Sequence, residues 1–263
     1  MEYILIALVG ASIGSFIGVI IDRLQSSESV LYGRSRCSSC RNILQWFELV
    51  PIVSFLLQKG ACRKCKAQIP WRDWYVEVVL AALFVIVYMV FVHSGFGIGV
   101  LFGDGFVQVA WFWLITSLLV LIFLYDLFYY LILDIVTLPA IGLIFIVHAF
   151  ELVPIAPTLQ SMLIGAAIAG GLFLVQFVVS KGTWIGGGDI RLGVLMGVIL
   201  GWQQTIAALG IAYVVGAVVG IILIMSHKKK LQSQVPFGTF LAAATFVSML
   251  WGESIINWYL HAL

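Results

Sequence analysis

Charged side chains are scarce in this sequence. Asp, Glu, Lys and Arg make up 10% of its 263 residues, where a soluble domain carries roughly 25%. With 62% of the residues hydrophobic and a mean hydropathy of +1.12, there is too little polar surface to clothe a water-soluble globule. A polytopic membrane protein is the class that remains. The 26 glycines suit it, because residues without a Cβ let helices pack closely in lipid. A net charge of +2 gives no footing for nucleic acid, and none is expected as a partner. Internal repeats and low-complexity segments are also lacking. The first apolar segment lacks the basic flank and small-residue cleavage site of a secretory signal. It carries Glu2 at its start and its basic residues follow the apolar run, so it is expected to remain as a helix with its N-terminus outside the cytoplasm.

About 20 consecutive apolar residues cross the hydrocarbon core as a helix. Eight stretches qualify, near 3–22, 74–93, 106–125, 133–152, 159–180, 190–201, 205–226 and 236–260. The sixth is about half a span and follows a glycine triplet, which suits a tilted or broken helix lining a cavity. With the N-terminus outside, segments 23–73, 126–132, 181–189 and 227–235 fall in the cytoplasm and the C-terminus falls outside. Those segments, with Arg191 just inside the sixth span, hold every Lys and Arg, while the outer loops near 95–105, 151–158 and 202–204 hold none. This is the positive-inside asymmetry. The expected fold is an all-α polytopic membrane protein of about eight transmembrane helices, with a small cytoplasmic loop domain between the first two. Its parts are a first transmembrane helix (1–22), a cytoplasmic four-cysteine domain (23–73) and a seven-helix membrane domain (74–263). Trp71, Trp74, Trp111, Trp202 and Trp258 read as interfacial anchors, as do the histidines (His93, His148, His227, His261) near span ends. Lys228 to Lys230 read as a cytoplasmic anchor.

The cysteines form two C-x-x-C pairs, Cys37 with Cys40 and Cys62 with Cys65, 21 residues apart. Two such knuckles close a tetrahedral zinc site, and a 23–73 segment poor in large apolar side chains needs a staple of that kind. The cytoplasm keeps thiols reduced, so paired structural disulfides are disfavoured; a redox pair or unligated thiols are the alternatives. Zinc held by four cysteines leaves no position for water, which makes such a site structural.

Ionisable groups at membrane depth are costly and mark function. Glu2, Asp22, Glu28, Glu48, Asp73, Asp104 and Glu151 fall in loops or at span ends, where water explains them. Glu77, at the start of the second span, reads as a helix-end charge, and Glu253 as an interfacial residue. Asp126, Asp134 and Asp189 remain. Asp126 ends the third span and Asp189 closes Gly186-Gly187-Gly188-Asp189 at the start of the sixth, both on the cytoplasmic side. Two carboxylates held close share one proton, which is the condition of an aspartic protease: one takes a proton from water while the other donates to the scissile carbonyl. Glycines before Asp189 would let an extended substrate backbone approach and let the chain take positive φ. Helix capping, or an ion path, is the competing role for these aspartates.

At this point the sequence resembles the type IV prepilin peptidases, G-x-G-D aspartic proteases of the prokaryotic inner membrane. The matching residues run in order: Gly14-Ser15-Phe16 with Val19-Ile20 and Arg23, the two C-x-x-C pairs, Pro51-Ile52-Val53-Ser54, Gly60-Ala61-Cys62-Arg63 and Glu77. Asp126 to Pro139, then Gly186 to Asp189 with Arg191, and Val235-Pro236-Phe237-Gly238 follow. The resemblance implies that Asp126 and Asp189 are catalytic, that Asp134 is a non-catalytic neighbour, and that Gly186, Gly187, Gly188 and Arg191 meet the substrate. It implies cleavage of prepilins or pseudopilins after a glycine, then methylation of the new N-terminus from S-adenosylmethionine. No G-x-G-x-x-G fingerprint accompanies that methylation, and the oligomeric state is left open. The sequence departs from the family pattern at Leu133 and Thr239, where proline is usual, and at Arg191, where lysine is usual. The rival readings are an ion- or proton-coupled transporter using its intramembrane aspartates, a presenilin-type protease and a secretion scaffold.

Overall fold

A computed structural model of the chain describes residues 1–26, 28–29, 32–92, 105–226 and 235–262; Asp104, Lys228 to Lys230, His93, His227 and most of the loop expected at 95–105 lie outside the described residues. Among the described residues the regular elements are helices, joined by turns and irregular segments that carry two isolated bridges. The helices are α1 (Glu2–Gln25), α2 (Val53–Leu57), α3 (Trp71–Phe91), α4 (Gly105–Tyr129), α5 (Asp134–Ala149), α6 (Leu159–Ser180), α7 (Gly187–Met225) and α8 (Phe237–Ala262). Six are long and apolar enough to cross a membrane, and α5 is a shorter apolar helix. The chain divides into two compact units, Met1–Ser117 and Leu118–Leu263.

In the first unit, α1 lies against α3 along glycines spaced by four. A Cβ on Gly10 would stand 2.7 Å from the Leu80 carbonyl oxygen, and one on Gly14 would stand 2.8 Å from Glu77 Cα. Only glycine permits backbones this close. Tyr88 donates to Glu2 at 2.7 Å, and Trp113 donates to the Phe84 carbonyl at 3.0 Å while stacking on its ring. Between α1 and α3, two knuckles are built alike. Cys37 N–H donates to Asn42 O and Cys62 N–H to Ala67 O, both at 2.9 Å, while Leu44 N–H reaches Ser35 O and Ile69 N–H reaches Gly60 O. Arg41 and Lys66, each following a second cysteine, both take positive φ. The bridges Arg36–Ile43 and Ala61–Gln68 keep the same offset. The knuckles therefore repeat one backbone geometry, which the sequence alone did not reveal because the residues between the cysteines differ.

In the second unit, α6 and α7 pack through small residues. A Cβ on Gly193 would strike Phe173, and one on Gly170 would strike Val194. The sequence led us to expect two spans separated by a loop at 202–204. The two helices are present, and the structure corrects the loop: residues 202–204 are helical, and the break is Gly201 alone, with φ 71° and ψ 177°. That conformation belongs to glycine. The chain reverses there: Gly188 and Gly238, at the starts of α7 and α8, both meet Ile132, Gln204 lies against Gly252 far along α8, and Gly216 is back against Phe240 near its start. Ser161 Oγ accepts from Trp202 N–H at 3.1 Å, capping the second half of α7. His148 is also corrected: it is buried rather than interfacial, with Nδ1 3.3 Å from Val198 O.

Candidate active site

Asp126 lies in the last turn of α4 and is 5% exposed. Its Oδ2 accepts from Thr239 N–H at 2.9 Å, and the Gly238 N–H also donates to the carboxylate. These amides belong to the first turn of α8, whose N–H groups have no partner within the helix and whose dipole favours an anion. Asp126 thus caps α8 from another helix. Gly238 is required for this, because a Cβ there would stand 2.8 Å from Asp126 Oδ2.

Asp189 is 8% exposed and caps its own helix, α7, with Oδ2 accepting from Gly186 N–H at 2.9 Å. The capping role weighed as an alternative is therefore present, and it orients both carboxylates. The structure brings Asp126 and Asp189 near enough for their charges to interact, and Ile132 packs against a glycine next to each motif: a Cβ on Gly188 would stand 2.8 Å from Ile132 Cβ, and one on Gly238 would stand 3.0 Å from Ile132 Cδ1. Asp134 stays apart, in an ion pair with Arg191.

The three glycines are not equivalent. None takes positive φ, contrary to expectation; Gly186 is extended at φ −83°, ψ 160°. Gly188 is needed for its contact with Ile132, while a Cβ on Gly187 would meet nothing within 4 Å. Sequence reasoning did not assign Gly238, Thr239 or Ile132 to the site. The Val235 to Gly238 signature was the one signal that could have pointed there.

The four cysteines form a second site, in the first unit. All are free thiols, their sulfurs lie within 4.8 Å of one another, and Cys37 and Cys65 are 3.8 Å apart. The cluster could hold a metal ion. The N–H groups of Cys65 and Lys64 lower Cys62 to about 7. Cys65 feels the Ala67 N–H, which lowers it, but desolvation and the neighbouring sulfurs carry it up to about 11. The opposed directions belong to one coupled cluster, in which each thiolate makes the next harder to form.

Beside the cluster a cleft of about 1000 Å³ is lined by residues including Asp22, Cys62, Arg72, Trp74 and Glu77. Arg72 joins Asp22 and Asp73 at 2.6 and 2.8 Å. Glu77 departs from the helix-end role expected of it. It is 8% exposed and accepts from Ile52 N–H at 2.6 Å.

Residues 8–91 match the family model described as the bacterial Peptidase A24 N-terminal domain, and residues 113–221 match that of the type IV leader peptidase family. Proteins named prepilin leader peptidase/N-methyltransferase are similar over nearly the whole chain. That of Aeromonas salmonicida is 30% identical over 100% of this chain and 95% of its own length. That of Bacillus subtilis is 31% identical over 95% of each. The chain belongs to the prepilin leader peptidase family. The Pseudomonas aeruginosa protein of the same name is 28% identical over 97% of this chain and 92% of its own length. No solved structure matches the chain.

Membership of this peptidase family disfavours the transporter reading, and the positions that depart from the family pattern now have local explanations. Leu133 is the N-cap of α5 at φ −80°, ψ 117°, a conformation that proline also adopts. Thr239 supplies Asp126 with an N–H that proline would lack. Arg191 is occupied by Asp134.

Proposed function

We propose that this protein is a membrane aspartic endopeptidase that removes the leader of type IV prepilins and pseudopilins, cutting after glycine at the cytoplasmic membrane face, and then methylates the new N-terminal amine. The observation that carries the peptidase reading is the pair Asp126 and Asp189, both buried, each oriented by the amides at a helix start, with interacting charges. The names of the relatives support both activities. In the reaction, the ionised carboxylate takes a proton from water as its oxygen attacks the carbonyl carbon, and the protonated one donates to the carbonyl oxygen. The tetrahedral intermediate then breaks its C–N bond. The amine leaves with the proton taken from water, a hydroxyl of the intermediate returns its proton to the second carboxylate as the carbonyl re-forms, and the pair is back to one shared proton. The open space at Gly187 leaves room for an extended substrate backbone along the start of α7. Gly186 and Gly188 continue that edge, and Arg191, held by Asp134, turns its other N–H groups to substrate carbonyls.

The cysteine cluster is read as a structural zinc site. Tetrahedral zinc with Zn–S near 2.3 Å sets its sulfurs about 3.8 Å apart, in keeping with the Cys37–Cys65 separation of 3.8 Å. The cleft beside it fits S-adenosylmethionine. It offers volume, the Glu77 carboxylate for a cationic group, and the Trp74 indole N–H, which is buried without a partner. When bound, that cofactor supplies an electrophilic methyl group. The enzyme sits in the prokaryotic inner membrane as a multi-pass protein, with the N-terminus outside, the cysteine domain (23–73) in the cytoplasm and the peptidase helices in 74–263.

The test is mass spectrometry of a prepilin incubated with the purified protein and S-adenosylmethionine. A single cut after glycine, lost in both Asp126→Asn and Asp189→Asn, and one methyl group added to the product are expected. Cleavage that survives either substitution would remove that carboxylate from the mechanism, and an unmethylated product would remove the second activity.

A further inference from the structure

We infer that Ile132 enforces glycine at the residue preceding the cut, by filling the space that a side chain at that position would need. The inference rests on the peptidase reading. Ile132 belongs to the short connection between α4 and α5, which leaves the helix at Tyr130 with φ 56°. Its side chain touches the two glycines that frame the carboxylates. Gly188 directly precedes Asp189, and Gly238 donates its N–H to Asp126. At both, a Cβ would fall within 3.0 Å of Ile132, so that connection is packed against both catalytic motifs with no slack. Ile132 is itself only half-buried, so part of its side chain is left uncovered by the protein.

The carbonyl carbon under attack must lie about 3–3.5 Å from a water held between the carboxylates. The Cα of the residue that owns this carbonyl is one bond further, and any side chain on it projects into the same few ångströms. Ile132 stands there already. A glycine passes it, and each added carbon must displace either Ile132 or the scissile carbonyl. One mismatched methyl group in a packed apolar site typically changes specificity about 10- to 200-fold.

The experiment compares kcat/KM for two prepilin peptides, one with glycine and one with alanine before the cut, in the parent and in Ile132→Ala. The parent should prefer glycine by about 100-fold, and Ile132→Ala should lower that ratio at least about 10-fold. Simple damage to the site would lower both rates together and leave the ratio in place. If Ile132→Ala cleaves neither peptide, Ile132→Val, which removes one methyl group, decides by the same ratio, with a fall of about threefold expected. A ratio unchanged within about twofold in a variant that cleaves overturns the assignment to Ile132 alone. A parent that cleaves neither peptide overturns the peptidase reading and this inference with it.

Discussion

Gly238→Ala adds a single methyl group at a crowded point beside the buried Asp126 carboxylate. The new Cβ would stand 2.8 Å from Asp126 Oδ2, 3.0 Å from Ile132 Cδ1 and 3.1 Å from Asp126 Cγ. Ordinary contact begins near 3.4 Å, so the carboxylate must recede by about 0.6 Å. The hydrogen bond from Thr239 N–H, now 2.9 Å, would then stretch to the edge of the bonding range. A misplacement of about 1 Å costs roughly 100-fold in rate, and a fall in kcat/KM of about 10- to 100-fold is expected here. Stability should change less. Overpacking costs about 1–3 kcal/mol, and alanine regains up to about 1 kcal/mol over glycine in a helix, leaving a net loss of about 0–3 kcal/mol. The assay is cleavage of a prepilin peptide at a temperature where melting curves show the variant folded. Gly171→Ala serves as control, since a Cβ there meets nothing within 4 Å. Activity within about twofold of the parent for Gly238→Ala would refute the view that this glycine positions Asp126.

Neighbouring glycines should separate two roles. Gly188→Ala should lower the melting temperature through its clash with Ile132, whereas Gly187→Ala should leave it unchanged or raised and act only on KM; equal melting temperatures would sink the distinction. Cys37→Ser should abolish bound zinc, measured by atomic absorption, and open the 23–73 segment to proteolysis; full zinc content in that variant would exclude the cluster as its site. Leu133→Pro should be tolerated and raise stability by about 0.4–1 kcal/mol, because the backbone there already has φ −80°. A clear loss in thermal melting would show that the Leu133 N–H is needed.

Much of this architecture was legible in the sequence, for physical reasons that act locally. A lipid-facing helix must be apolar over about 20 residues, so hydropathy located the spans, and charge placement suggested a sidedness. Thiol pairs at C-x-x-C spacing announced the cysteine cluster, and two aspartates isolated among apolar residues announced the buried carboxylates of Asp126 and Asp189. Tertiary packing decided what lies between these features. The donors that hold Asp126 come from Thr239, 113 positions away, and no local pattern marks an amide as reserved for a distant carboxylate. Gly201 looked like one glycine among many until the close approach of α6 made it the reversal point of α7. Ile132 reads in sequence as an unremarkable apolar residue after the third span, and it acquires a role only because Gly188 and Gly238 close on it from two other helices. Composition and motif set which groups are present and how deep each segment lies; the distances between groups from different helices, on which the chemistry depends, arise only when the helices pack.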